Sequence, residues 1–135
     1  MKQKYRMFCL ICAALVVAFM AASCSEKEED IASPSITIIR PIENDTIRLT
    51  NNFITIETVA QDHVGINDME MNVIDNSGTV LFSYDKDEIE TTAYSCMEQF
   101  YPEGITKVTQ MKLTVTFANE YKNWNSKSIN FYVKP

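Results

Sequence analysis

The chain has 135 residues, a formal net charge of −6 at pH 7, four cysteines and a single histidine. That length fits one domain with enough chain to bury a core, and the acidic balance disfavours nucleic acid and anionic lipid headgroups, which would repel it. One histidine excludes a histidine-rich zinc site and leaves at most one candidate for a nucleophile-activating triad.

Lys2, Lys4 and Arg6 open the chain, and residues 7–22 follow without a charge. This is the layout of a secretory signal, and the apolar run is shorter than the roughly 20 residues that cross a bilayer. Ala21, Ala22 and Ser23 place small residues directly before Cys24. The segment resembles the lipoprotein signals of Gram-negative bacteria, with Ala21 where Leu is commoner. The resemblance implies cleavage that removes residues 1–23, a diacylglyceryl group on the Cys24 thiol and an acylated new amino terminus. Each buried methylene contributes about 0.8 kcal/mol, so two or three acyl chains make a permanent anchor.

Loss of Lys2, Lys4 and Arg6 takes the formal charge from −6 to −9 over the remaining 112 residues. Cys9 and Cys12 leave with the signal, so Cys96 has no cysteine left for an intramolecular disulfide. No second cysteine accompanies it, and it is expected to pack as a small hydrophobe.

Residues 24–33, with Glu26, Glu28, Glu29 and Asp30 ahead of Pro34, read as a solvated acidic tether. Extended, it reaches up to about 35 Å from the bilayer. Lys27, Glu28 and Glu29 resemble the export signal of Bacteroidetes surface lipoproteins. The resemblance implies transfer to the outer face of the outer membrane, a periplasm-facing lipoprotein being the alternative.

Residues 34–135 carry the texture of strands, rich in Ile, Val, Thr, Tyr and Phe and punctuated by turn residues. Residues 35–40 predict a first strand stopped at Pro41, whose edge residues 46–49 continue. Residues 53–60 predict a second, with Ile54, Ile56 and Thr58 on one face, and residues 69–74 a third, with Met69, Met71 and Val73 together. Asp75, Asn76, Ser77 and Gly78 tolerate a tight reversal, so residues 80–84 are expected to fold back with Val80, Phe82 and Tyr84 on a shared face. Residues 85–90 read as an acidic loop, and residues 91–101 are ambiguous between strand and helix. Met111, Leu113, Val115 and Phe117 alternate with polar residues as in a half-buried strand. Ile129, Phe131 and Val133 mark the last one.

Segments of this length and spacing predict an all-β antiparallel sandwich of about seven strands. Residues 60–66 and 118–124 echo each other, each with Ala, an acidic residue two later and then Gly or Asn. The stretch resembles the uncharacterised immunoglobulin-like lipoproteins of Bacteroidetes, in which turns of the type Asp-x-x-Gly-Ile recur. The resemblance implies an immunoglobulin-like fold and an envelope location, with the two echoing loops at one end of the sandwich. The second loop departs from the type, having Glu120 and Asn123 where Asp and Gly are usual.

No Gly-rich phosphate loop and no Cys-x-x-Cys occurs, and neither a catalytic constellation nor a cofactor site is expected. Asp62 and Glu120 could suggest a calcium site, but single acids supply too few oxygens, so side-chain caps on the two turns are favoured. Asp85, Asp87 and Glu88 read as a solvated loop. His63, Tyr121 and Trp124 are the candidate binding residues, since aromatic planes beside polar groups suit a sugar ring or a protein anchor. The competing reading places Trp124 in the core. The expected protein is therefore a monomeric, lipid-anchored outer-membrane module without enzyme activity that binds a glycan or an envelope protein. A structural spacer without a ligand is the alternative.

Overall fold

The computed structural model describes residues 32–135. The signal expected over residues 1–23, the lipidated Cys24 and the export motif Lys27, Glu28 and Glu29 lie outside the described residues. Seven strands follow in chain order: β1 (Ser35–Arg40), β2 (Thr46–Arg48), β3 (Ile54–Asp75), β4 (Val80–Lys86), β5 (Thr91–Phe100), β6 (Thr109–Asn119) and β7 (Trp124–Lys134).

Where the apolar pattern predicts two strands between residues 53 and 74, the chain forms one, the 22-residue β3. Asp62 and Gly65 bend it without ending it. Its first half pairs antiparallel with β1 on one side and β5 on the other; past the bend it pairs antiparallel with β4 and β6. Register shifts between Gln61 and Ile66 against β5, and between Ile66 and Asp68 against β6, absorb the change of direction. β7 extends the second group antiparallel to β6, and β2 closes it by pairing parallel with β7. Two layers result, β1-β3-β5 and β4-β3-β6-β7-β2.

The inward residues of both layers meet in one core. Ile54, Ile56 and Ala60 from the first half of β3 join Met71 and Val73 from the second, Leu113, Val115 and Phe117 of β6, and Phe131 and Val133 of β7. At about 25 cal/mol per Å² of apolar surface removed from water, this is the dominant stabilising contribution. Thr58 shares the inner face, and its hydroxyl is buried without a hydrogen-bond partner among the described residues.

Three local expectations change. Residues 91–100 are strand, β5, with Cys96 and Phe100 buried and Met97 pointing out. β2 leaves the layer of β1 and joins β7 instead of prolonging the first strand's edge. Val80 is exposed while Phe82 and Tyr84 pack on the core, because the register shifts between Val73 and Ile74 and an extra residue, Leu81, intervenes.

Strand directions define two ends. β1 starts opposite Gln61, so the chain enters at the end where β3 bends and where β6 turns into β7. The start of β3, the β3-β4 hairpin and residues 101–108 lie at the far end.

Candidate functional site

The bend end is organised by two amide or carboxylate side chains. Asp62 Oδ1 accepts the backbone N–H of Val64 at 2.9 Å and of Gly65 at 3.4 Å, an arrangement that fixes the bend locally. Gly65 takes φ 129°, a region that residues with a Cβ rarely adopt, and an added Cβ would stand 2.9 Å from Glu120 Oε1. In the β6-β7 turn, Asn119 Oδ1 accepts the N–H groups of Tyr121 and Asn123, each at 3.0 Å.

The two turns are also tied to each other. Asn119 Nδ2 donates to the Ala32 carbonyl at 2.9 Å and lies 3.4 Å from Asp62 Oδ2, and the Glu120 N–H donates to the Gly65 carbonyl at 3.2 Å. Asn125 Nδ2 holds the Pro34 carbonyl at 2.7 Å. Lys122 forms a salt bridge with the nearly buried Asp68. Asp62 is thus a turn cap, and the second cap is Asn119, one residue before the acid that the echo singles out. Asn119 shows no functional signature in sequence, because an Asn ahead of a turn is ordinary and its reach to Ala32 spans 87 residues.

Among the described residues no three His, Cys, Asp or Glu side chains group as metal ligands. Cys96 pairs with Thr58 across β5 and β3; burial, and then the neighbouring Glu98 carboxylate, pushes its thiol up from the usual range. Such a thiol carries little thiolate at neutral pH and is a poor nucleophile. Burial likewise raises Tyr84 and Tyr94 beside it.

His63, Tyr121 and Trp124 share the bend end but not one cavity. His63 is exposed and lines a shallow depression with Ser33, Ser35, Gln61, Thr92 and Ala93, on the side of the β1-β3-β5 layer. Trp124 stands across from Ala118 in the other layer. It is 47% exposed and Tyr121 56%, so the indole is not a core residue. The alternation that buries Val115 and Phe117 sets Thr114 and Thr116 on the outer face. There their hydroxyls meet those of Ser128 and Ser126 at 2.9 and 3.0 Å. A ladder of hydroxyl groups therefore runs along the outer face from the row next to Trp124 and Ala118.

No protein-family model and no curated protein matches the chain. Solved structures do. An engineered protein matches with a TM-score of 0.54 and 12% identity over 76% of this chain and 20% of its own. The periplasmic chaperone SfaE matches with a TM-score of 0.54 and 4% identity over 75% of this chain and 58% of its own. The E. coli chaperone DraB matches with a TM-score of 0.50 and 10% identity over 75% of this chain and 55% of its own. This chain thus spans less than three fifths of each of these proteins. At such identities the likeness is one of fold, and it makes the domain an all-β immunoglobulin-like sandwich.

Proposed function

We propose that this protein is a lipid-anchored outer-membrane module, exposed at the cell surface, that binds a glycan or an envelope protein without catalysing a reaction. The supporting observation is the exposed aromatic surface of Trp124 and Tyr121 beside the hydroxyl ladder, which suits a polar ring-shaped ligand. Ala32 and Pro34 are held by Asn119 and Asn125 at that same end, so a tether running back to Cys24 would leave there and set the ladder along the flank of the domain. A periplasmic chaperone among the proteins of like fold accords with an envelope setting.

Cys24→Ala should abolish labelling with palmitate and release the protein from the outer-membrane fraction; labelled, membrane-retained variant would overturn the anchor. Alanines at Lys27, Glu28 and Glu29 should lower protease accessibility on intact cells. Against a glycan panel, Trp124→Ala and Tyr121→Ala should remove binding while the fold persists, and His63→Ala, on the other layer, should not.

A further inference from the structure

The hydroxyl ladder does not end at the two rungs beside Trp124. Along β7 the residues that alternate with the buried Ile129, Phe131 and Val133 are Trp124, Ser126, Ser128, Asn130 and Tyr132. Opposite the last four of these, β6 sets Thr116, Thr114, Lys112 and Gln110. One face of two adjacent strands thus carries an aromatic ring at each end, with hydroxyl, amide and ammonium groups between. From Trp124 to Tyr132 the strand advances about 27 Å at 3.4 Å per residue. Towards the far end this lane opens into a depression of about 260 Å³, lined in part by Asn76, Gln110, Lys112 and Asn130.

The rungs are not exhausted by bonding to each other. In the pairs Thr116 with Ser126 and Thr114 with Ser128, one hydroxyl donates to the other. Each pair therefore keeps a second O–H and free lone pairs for an outside partner. Rungs recur at every second residue, about 7 Å apart along the strand. A single sugar ring meets one of them, and a chain that curls leaves the face after the first. Only an extended chain, with polar groups at intervals along a straight axis, engages the length of the lane.

Charge narrows the ligand further. Glu70 stands across from Thr116, and Asp85 across from Glu70, on the outer face. Asp75 lines the depression, and the Glu43 carboxylate accepts the Asn130 N–H at 3.3 Å. These carboxylates flank the lane against Lys112 within it and Lys134 beyond Tyr132, in a chain that is acidic as a whole. A polyanion is repelled by such a surface. We infer that the site takes an extended, unbranched, uncharged oligosaccharide, which stacks one ring on Trp124 and follows the rungs to Gln110, Lys112 and Asn130. The inference rests on the glycan reading above and names the class of glycan.

The test is titration calorimetry of the full-length chain with β-1,4-linked disaccharides and hexasaccharides of glucose, mannose and xylose. The hexasaccharide of at least one series should bind at least tenfold tighter than its disaccharide. Lys112→Ala and Gln110→Ala, both at exposed positions, should each reduce that ratio, and the double variant should bring it close to one. Trp124→Ala should abolish binding at both lengths. The curled α-1,4-linked glucose hexasaccharide and the polyanionic galacturonate hexasaccharide should bind no tighter than a disaccharide. Equal affinity at the two lengths, or a length effect indifferent to the double variant, would overturn the lane and leave a single-ring site at Trp124. So would equal binding of the curled or the charged hexasaccharide. A chain that binds none of these sugars would overturn the glycan reading as well, so the two failures are distinguishable.

Discussion

Two aspartates, Asp62 at the bend end and Asp75 at the far end, do the same local job in opposite surroundings. Each accepts backbone N–H groups from residues just after it: Asp62 from Val64 and Gly65, Asp75 from Ser77 and Thr79 at 2.8 and 2.9 Å. Asp62 is 8% exposed and belongs to a network that also holds Asn119, the β6-β7 turn and the incoming chain. Asp75 is only half-buried, and the groups it holds, those of Ser77 and Thr79, belong to its own hairpin. A turn cap is thus a long-range fastening where it is buried and a local convenience where it is not. Water competes for the second set of hydrogen bonds and hardly for the first.

The comparison vanishes altogether if the shared core is destroyed, and Val115→Asp should do that. A carboxylate with no partner would stand on the inner face of β6, at a cost of several kcal/mol, which exceeds the margin of many small domains. Circular dichroism should show no cooperative melting transition. A folded variant would mean that the inner face admits water.

Within a folded protein, the bend end should be the sensitive one. Asn119→Ala leaves two turn N–H groups and the Ala32 carbonyl without their partner, and should cost about 2 kcal/mol. Gly65→Ala forces a Cβ into a backbone region that disfavours it, at about 1–3 kcal/mol. Each should lower Tm by roughly 4–8 °C per kcal/mol for a domain of this size. Adding Glu120→Ala to Gly65→Ala should recover only part, since it removes the contact with Oε1 but not the backbone strain. Full recovery would assign the whole effect to that contact.

Asp75→Asn should be the smallest effect, and its signature is pH. The Ser77 hydroxyl first, then the Thr79 N–H, hold the Asp75 carboxyl below its ordinary value of 3.8. A depressed folded-state pKa means that the stabilisation is complete above the unfolded value and is lost as pH falls through the folded one. Denaturant midpoints of the native protein and of Asp75→Asn should therefore differ at pH 7 and converge below about pH 4. A difference that persists unchanged at pH 2 would show that the charge is irrelevant to the turn.

How far these features could be read in the sequence depended on how many neighbours each one involves. β6 and β7 were legible because each has one buried and one solvated face, so Leu113, Val115 and Phe117 alternate cleanly with polar residues. β5 was obscured by its position at an edge, where the half-buried Glu98 interrupts the inward series of Tyr94, Cys96 and Phe100 while Met97 faces out at 63% exposure. The continuity of β3 was hidden by Asp62 and Gly65, which normally end strands; whether they bend or stop the chain is decided by partners on β5 and β6 that lie far along it. The clustering of the two echoing loops was legible, and so was a cap at Asp62. The role of Asn119 was not, nor was the separation of His63 from Trp124, because both follow from which layer each strand joins.

The bent β3 also governs how the molecule comes apart. One unbroken strand supplies ladder partners to β1 and β5 at one end of its length and to β4 and β6 at the other. Freeing either layer strips the other of its central strand, so neither can persist as a partially folded remnant. Unfolding is then a single event for both layers, with no half-opened state for a protease to find.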